Sequence, residues 1–385
     1  MFAPIYLDYA ATTPVRPEVL EAMLPFHRAR FGNPSSAHRW GREARAALDE
    51  ARERVATCLG ANADEVCFTS GGTEGDNLAI LGGWRVLKAR GRHGVATSPI
   101  EHKAVLQSVH QTASEGADER IIAVDATGTV DLDSARAQVR EDTALCSVMW
   151  VNNEIGTIQP IDALARHARS TGALFHTDAV QAFGKVTIDA KATPFDFLTI
   201  SGHKFGAPKG IGALFIRRNT PLEPLFFGGS QDRGRRPGTE NVAFAVGFAL
   251  ACELALAEHA IEGERLRTLR DRLEAAILAT LPDTIVHGRG AARAPHVLNV
   301  SVPGTDSESM LMALDLKGIA ASGGSACQSG SVNPSHVLQA LGVPADIAGA
   351  AIRMSVGSLT TGEDIDRVIE VFPALAQKAR GLAVA

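Results

Sequence analysis

Short apolar runs alternate with amphipathic stretches through the first two thirds of the chain. Apolar residues recur at three- and four-residue spacing, which predicts one face of a helix; they are Ala44, Leu48, Ala51, Val55 and Leu59. Gly60 then marks the end of this predicted helix. The run Val66–Thr69 predicts a strand, which a glycine turn and a helix from about Thr73 follow. This order of strand, turn and helix indicates βαβ units.

The same alternation continues to about residue 260. Further strand-like runs lie at Val95–Thr97, Ile121–Val124, Leu145–Val151, Leu174–His176, Phe195–Ile200 and Ile211–Ile216. Helical stretches separate many of them, so we predict an α/β fold with a mostly parallel central sheet covered by helices. Beyond that point a charged helix, 262–281, leads into alternating short strands and helices. We therefore predict a large domain over 15–260 and a smaller α+β domain formed by 1–14 and 261–385.

The composition is that of an ordinary globular protein, because 45% of the 385 residues are hydrophobic and 21% are charged. A net charge of −5 supplies no positive field, so neither nucleic acid nor a membrane is expected as a partner. Residues 1–5 lack the basic and apolar regions of a signal peptide. The most apolar helical run, 242–256, is interrupted by Glu253 and is too short to span a bilayer, which indicates a core helix.

The cysteines are odd in number and irregularly spaced. They are Cys58, Cys67, Cys146, Cys252 and Cys327. A disulfide framework or a zinc site is therefore not expected, and no structural metal site is predicted. This usage favours a reducing compartment, so we expect a cytoplasmic protein.

A lysine stands at the end of one apolar run, in the tetrapeptide Ser-Gly-His-Lys at 201–204. A lysine at the end of a buried strand is costly unless it is paired or used covalently. Its common covalent use is a Schiff base to the aldehyde of pyridoxal phosphate. The alternative for Lys204 is an exposed lysine in a turn.

Two further strand ends carry groups that suit the same cofactor. The glycine turn before Thr73 could cradle a phosphate against a helix N-terminus, although the turn taken alone is more typical of a tight βα turn capped by Thr73. Asp178 follows the strand that ends at His176, where open α/β sheets bind ligands. Its carboxylate could pair with a pyridine nitrogen, or it could cap a helix.

Three more polar residues follow or interrupt apolar runs. His102 could stack on a planar ring or move protons, and its alternative is a surface cap of the helix from Lys103. Asn153 could bind a substrate carboxylate or a ring hydroxyl, or could be a turn residue. Arg353 could clamp a carboxylate or belong to a structural ion pair.

Cys327 lies in a small, polar, glycine-rich segment, 321–331, that predicts a mobile surface loop. An exposed thiol on such a loop suits a nucleophile that must travel. The other four cysteines lie in predicted helices or strands and fit a role as small apolar filler.

Taken in order, these motifs resemble the cysteine desulfurases, the NifS/IscS-like branch of the class V aminotransferase fold, which is a fold type I pyridoxal-phosphate fold. The resemblance runs nearly end to end, through the motifs at 6–14, 32–38, 201–204, 323–327 and 352–355. The long segment around Cys327 is of the kind seen in the group I enzymes. Gly75 stands where many relatives carry serine or alanine, and little effect on cofactor binding is expected.

The resemblance implies a role for each candidate residue. Lys204 would carry pyridoxal phosphate and act as the catalytic base, with His102 stacked on the ring. The phosphate would be held by Gly72, Thr73, Ser201 and His203, and by Thr239 from the other subunit of a homodimer. Asp178 would contact the ring nitrogen and Gln181 the ring hydroxyl. Asn153 and Arg353 would hold the substrate carboxylate, and Cys327 would accept the sulfur, with a transient iron–sulfur contact left open.

The implied reaction converts L-cysteine to L-alanine and leaves a persulfide on Cys327. A sulfur-acceptor protein, either an iron–sulfur scaffold or a transfer-RNA-thiolation enzyme, would then receive the sulfur. The sequence ends soon after its last helix, at 377–385, without the longer tail by which some relatives bind a scaffold, so that partner stays open. Two alternatives remain: another class V enzyme, such as a selenocysteine lyase or an aminotransferase, and a non-catalytic binding protein of the same fold.

Overall fold

The computed structural model describes residues 3–323 and 335–383. Its strands, in chain order, are β1 (Ile5–Tyr6), β2 (Val66–Thr69), β3 (Gly94–Thr97), β4 (Asp118–Ile121), β5 (Thr143–Ser147), β6 (Leu174–Asp178), β7 (Phe197–Ser201), β8 (Gly212–Ile216), β9 (Ile285–Val286), β10 (Val297–Ser301), β11 (Ile319–Ala320) and β12 (Ala351–Ser355). Many of these strands are short apolar runs bounded by turn residues, whereas β4 is mainly polar.

The α-helices of the same residues are α1 (Pro17–Arg28), α2 (Arg39–Leu59), α3 (Gly72–Asn77), α4 (Gly83–Lys88), α5 (Lys103–Ser114), α6 (Leu132–Gln138), α7 (Ile161–Thr171), α8 (Val242–Thr280), α9 (Ser307–Asp315), α10 (His336–Ala340), α11 (Ala345–Gly349) and α12 (Gly362–Ala383). A π-helical turn, Leu78–Gly82, joins α3 to α4. The predicted end of α2 is confirmed, because Gly60 has a φ of 67°, which favours glycine.

A central seven-stranded sheet has the order β2-β8-β7-β6-β5-β3-β4. Among these seven strands, β8 alone runs in the opposite direction, so only its pairs with β2 and β7 are antiparallel and the predicted mostly parallel sheet is confirmed. The carboxyl ends of β3, β5, β6 and β7 therefore meet at one edge. The predicted strand at 121–124 begins three residues earlier, at Asp118, where it pairs with β3.

A second, smaller core joins the beginning of the chain to its last third. Ile5 and Leu7 pack with apolar residues from Leu266 to Ala376. The small sheets of this region have the orders β12-β10-β9 and β1-β11. This is the smaller α+β part that the sequence indicates, while the exact limits at residues 14 and 260 stay predictions.

Helix α8 connects the two cores, and the predicted separate helices at 242–256 and 262–281 are wrong as separate elements. Glu253 interrupts the apolar run but not the helix, since glutamate is a good helix former, and its carboxylate pairs with Arg54 of α2 at 2.5 Å. The full helix of 39 residues is long and apolar enough to cross a membrane by length and composition. Its first half nevertheless packs in the large core, where Phe248 and Cys252 are fully buried.

Candidate active site

Lys204 lies at the carboxyl end of β7, in a single 3₁₀ turn, Gly202–Lys204. Its Nζ donates hydrogen bonds to the carbonyl oxygens of Ala10 and Ala11, at 2.7 and 2.9 Å. Burial, and then the positive charge of Arg353, lower the pKa of Lys204 to about 8. The amine is therefore closer to its neutral, nucleophilic form than an exposed lysine would be.

Asp178 and Gln181 lie at the end of the neighbouring strand, β6. The Asp178 carboxylate is buried and accepts a hydrogen bond from the amide of Val180 at 2.9 Å. Burial raises the pKa of Asp178, while its interactions with His102, the Val180 amide and Lys204 lower it. The Gln181 Nε2 donates to the carbonyl of Ala10 at 2.8 Å. A cation placed against Asp178 would offset the cost of burying its charge.

His102, at the end of β3, fulfils the capping role considered for it and also contacts the cavity. Its Nδ1 accepts a hydrogen bond from the amide of Ala104 at 3.1 Å, at the start of α5. Burial lowers the pKa of His102, so the ring favours its neutral form. A neutral aromatic ring held at a helix N-terminus can lie flat against another planar ring.

The glycine turn lies between β2 and α3. Gly71 has a φ of 151°, and a Cβ on Gly72 would come within 3.0 Å of the Val180 side chain. Thr73 lies in the first turn of α3, and the buried Ser201 lies across from it at the end of β7. Only a backbone without side chains can bring its amides this close to β6 and β7.

Asn153 follows β5, and the sequence allowed it to be a turn residue. The side chain that stabilises this turn belongs instead to its neighbour Asn152. The Asn152 Oδ1 accepts hydrogen bonds from the amides of Glu154 and Ile155, at 2.9 and 3.0 Å. Asn153 itself contacts the cavity, and its backbone carbonyl accepts a hydrogen bond from Arg353 Nη1 at 3.0 Å.

Arg353, on β12, forms the structural ion pair that was one of its two expected roles, while its role as a clamp for a substrate carboxylate stays a prediction. Its side chain is buried, and its Nη2 pairs with Asp8 Oδ1 at 2.7 Å. The guanidinium also contacts the same cavity as Lys204. A buried guanidinium held from behind by a carboxylate is oriented for an anionic ligand.

One cavity of about 280 Å³ brings these residues together. The predicted site residues that contact it are Gly72, Thr73, His102, Asn153, Asp178, Gln181, Ser201, His203, Lys204 and Arg353. Thr239 is exposed and does not contact the cavity of its own chain. Cys327 lies outside the described residues.

Three buried titratable residues beneath this cavity were missed by sequence reasoning. Asp76 is 1% exposed and approaches His176 Nε2 at 3.5 Å, and burial raises the pKa of Asp76. Burial lowers the pKa of His176 to about 3. Glu101 accepts a hydrogen bond from the Met149 amide at 2.8 Å, and burial raises the pKa of Glu101 to about 8. The sequence indicated only Asp76 among these residues, because Asp76 lies one helical turn after the glycine turn.

The carboxylates of Asp76 and Asp178 lie close to the His102 ring. One potential ligand atom from each of the three residues lies within 4.8 Å of the other two. All three contact the Lys204 cavity, so this cluster belongs to the same site.

The donor set fits pyridoxal phosphate. Lys204 offers an amine whose pKa is lowered toward neutrality. Asp178 offers a buried carboxylate whose pKa stays raised, because the neighbouring groups do not fully offset the cost of burying its negative charge. The Gly72 turn offers a close approach of backbone amides, as phosphate requires.

Comparison with known proteins agrees with this geometry. A family model described as aminotransferase class-V matches residues 5–368, which include both cores and every described candidate residue. The chain therefore belongs to the class V aminotransferase family, and the cofactor of this family is pyridoxal phosphate. The resemblance and the fold class expected from the sequence are confirmed.

Individual relatives narrow the comparison within the family. The chain is 46% identical over 379 residues to cysteine desulfurase IscS from Dictyoglomus turgidum, with 98% of this chain and 96% of the relative covered. It is 46% identical to cysteine desulfurase NifS from Azotobacter vinelandii, with 99% and 94% covered. A solved NifS-like protein matches at a TM-score of 0.91 and 35% identity, with 97% and 100% covered. A structure named SspA in complex with cysteine matches at 0.81 and 34%, with 91% and 98% covered.

Proposed function

We propose that this chain is a pyridoxal-phosphate-dependent cysteine desulfurase. It converts L-cysteine to L-alanine and takes the sulfur as a persulfide on Cys327. The observation that carries the proposal is the single cavity in which the Lys204 amine, the Asp178 carboxylate and the Arg353 guanidinium meet. Relatives named cysteine desulfurase, aligned over nearly the whole chain, support the same reaction.

The residues of the cavity divide between the cofactor and the substrate. Lys204 would hold the cofactor aldehyde, Asp178 the ring nitrogen and Gln181 the ring hydroxyl, and His102 would cover the ring. Gly72, Thr73, Ser201 and His203 would hold the phosphate. When bound, pyridoxal phosphate withdraws electrons from the bonds at the Cα atom of an amino acid. Arg353 and Asn153 would bind the substrate carboxylate and so orient those bonds.

Lys204 also suits the transfer of a proton. With a pKa of about 8, roughly a tenth of the free amine is neutral at pH 7. A neutral amine beside the substrate can take the Cα proton and return it to a neighbouring carbon. The carbonyls of Ala10 and Ala11 hold Nζ in place between these transfers.

The raised thiol pKa values of the other four cysteines support Cys327 as the residue that accepts the sulfur. Burial raises the pKa of Cys58 to about 11 and also raises the pKa values of Cys67, Cys146 and Cys252. None of these four described thiols is a good source of thiolate at neutral pH. We assign to Cys327 the attack on the substrate sulfur: a new S–S bond forms, the Cβ–S bond breaks, and its electron pair is protonated as the methyl group of alanine.

We also propose that the chain acts as a cytoplasmic homodimer that passes sulfur to an acceptor protein. Thr239 is exposed on its own chain, and the nearby Phe226 and Phe227 are 51% and 85% exposed. Exposed aromatic side chains of this size favour burial against another protein surface. A second copy that covers them would bring its Thr239 toward the phosphate site. The acceptor would be an iron–sulfur scaffold or a transfer-RNA-thiolation enzyme.

Alanine formation from L-cysteine tests the proposed reaction. The protein saturated with pyridoxal phosphate should release alanine and, with a thiol reductant, an equal amount of sulfide. Cys327→Ala should retain the cofactor absorbance and lose sulfide release, whereas Lys204→Ala should lose both. Sulfide release that is unchanged in Cys327→Ala would contradict the role of Cys327. Activity on selenocysteine alone, or transfer of the amino group to a keto acid, would indicate another class V enzyme.

A further inference from the structure

His336 contacts the Lys204 cavity but has no part in the cofactor and substrate contacts proposed above. It is the first residue of α10, and its Nε2 lies 2.9 Å from the carbonyl oxygen of Glu101. A carbonyl oxygen only accepts hydrogen bonds, so Nε2 carries the hydrogen in the neutral ring. The second ring nitrogen, Nδ1, therefore keeps its lone pair and can accept a proton.

The Nδ1 atom of His336 is unpaired and within reach of a bound molecule. It makes no hydrogen bond to the residues that the structure describes. The side chain is only partly buried, and the fully buried polar atoms without a partner include Nδ1 of His296 but not Nδ1 of His336. A substrate group in the cavity can therefore approach a free proton acceptor.

The first turn of α10 is held at the strand ends that carry the site. Ser335 caps the helix, and its Oγ also donates a hydrogen bond to the carboxylate of Glu154, which follows β5. His336 donates to Glu101, which follows β3. Leu338, in the same turn, is fully buried in an apolar cluster. Because these three contacts fix the turn, the His336 ring is held in a defined place at the cavity.

The other two histidines of this cavity among the described residues are less suited to take a proton from the substrate. His102 Nδ1 accepts a hydrogen bond from the Ala104 amide, so the hydrogen of the neutral ring lies on Nε2 and no lone pair stays free. His203 is one of the proposed phosphate contacts. Lys204 is assigned to the proton on Cα. His336 is therefore the imidazole of the cavity that has a basic nitrogen and no other task.

We propose that His336 is a catalytic residue that moves the thiol proton of the substrate, a role that rests on the desulfurase reaction proposed above. The Cys327 thiolate attacks the sulfur of L-cysteine: an S–S bond forms, the Cβ–S bond breaks, and Cβ receives the electron pair. His336 Nδ1 takes the proton of the attacked sulfur and gives it to Cβ, which becomes the methyl group of alanine. The two sulfur atoms are oxidised to a persulfide anion while Cβ is reduced by the same two electrons, so no further reactant is needed.

Single-turnover formation of the persulfide tests this role. The cofactor-loaded protein is mixed with L-cysteine and quenched by alkylation after set times, and the sulfur on Cys327 is measured by mass spectrometry. His336→Gln keeps an N–H group for the Glu101 carbonyl and favours a helix but cannot take a proton, so the rate should fall about a hundredfold. The matched control is His167→Gln, which should leave the rate unchanged. His167 is also partly buried with its Nε2 3.0 Å from a carbonyl, that of Val139, but it does not contact the cavity.

Binding of L-alanine, followed by the absorbance of the cofactor, separates proton transfer from positioning. L-alanine has the carboxylate and the amino group of the substrate but no thiol, so its affinity should be the same in His336→Gln and the wild type. A persulfide rate in His336→Gln within about threefold of the wild type would overturn the role of His336 alone. A loss of L-alanine affinity as large as the loss of rate would show that His336 only orients the site, and would also overturn it. Absence of persulfide in the wild type would instead contradict the desulfurase reaction on which the role rests.

Discussion

At the scale of single residues, the site depends on how burial changes ionisation. Burial shifts the pKa values of Lys204, Asp178 and His102 in the directions that favour the neutral form of each side chain. Asp178 opposes this effect at Lys204 and at His102, whose pKa values its negative charge raises, whereas Lys204 lowers the pKa of His102 further. Such mutual adjustment is typical of catalytic sites.

The ionisation of Lys204 predicts how fast the cofactor-free protein captures pyridoxal phosphate at different pH values. Only the neutral amine attacks the aldehyde, so the capture rate should rise about tenfold per pH unit and level off above pH about 8. Stopped-flow absorbance measures this rate, and Lys204→Ala should show no covalent capture. A rate that is still rising at pH 10, near the ordinary lysine value of 10.5, would contradict the lowered pKa.

The strand-end residues of the site could be predicted because parallel strands place their carboxyl ends at one edge. Lys204, Asp178, His102 and Asn153 each follow an apolar run in the sequence. Their partners could not be predicted, since contacts between distant residues, such as that of Arg353 with Asp8, depend on packing of the whole chain. Glu101 was overlooked for a related reason: its burial, rather than its residue type, makes it unusual.

At the scale of elements, the close packing of α3 on β7 places the glycine turn against the lysine turn. Gly75 of α3 faces Thr199 of β7, and a Cβ on Gly75 would come within 2.7 Å of the Thr199 methyl group. Thr199 cannot move aside readily, because it is β-branched and its Oγ1 is hydrogen-bonded to His176 at 3.0 Å.

Gly75→Ala should therefore destabilise the protein although alanine favours a helix. Overpacking costs about 1–3 kcal/mol, which exceeds the gain of about 1 kcal/mol in helix propensity. In a Thr199→Ser background the methyl group is absent and the hydroxyl remains, so Gly75→Ala should become neutral or stabilising. Urea unfolding of the four proteins in this cycle measures the coupling. Equal effects of Gly75→Ala in both backgrounds would show that the contact is not the cause.

Helix α8 shows the limit of pattern analysis for elements. Its first half is apolar and its second half is charged, and this change in composition predicts two separate helices. The chain between them carries only helix-compatible residues, so the helix continues from one core to the other. Strand Val66–Thr69 and the Gly60 stop were predictable because local turn chemistry determines both.

At the scale of the whole molecule, buried acids make stability depend on pH. Burial raises the pKa of Glu101 from its ordinary value of 4.5 to about 8. Between these values the folded protein keeps a proton that the unfolded chain has released. The stability contributed by Glu101 is therefore highest near pH 4.5 and falls as the pH rises to 8.

Glu101→Gln should remove this dependence, because glutamine does not titrate and still offers an oxygen to the Met149 amide. Between pH 5.5 and 7.5 the free energy of unfolding of the wild type should fall relative to the variant by about 2.5 kcal/mol. Chemical unfolding of both proteins at the two pH values gives this difference. A constant difference would indicate that Glu101 is ionised in the folded protein.

Mapping of the persulfide is the decisive experiment for cysteine desulfuration by the whole molecule. The cofactor-loaded protein is incubated with L-cysteine, its thiols are alkylated, and its peptides are analysed by mass spectrometry. The alanine released in the same reaction is quantified. We predict one added sulfur atom on the Cys327 peptide, none on the peptides of the other four cysteines, and alanine equimolar with the bound sulfur. Alanine without sulfur on Cys327, or no alanine at all, would contradict the proposed function.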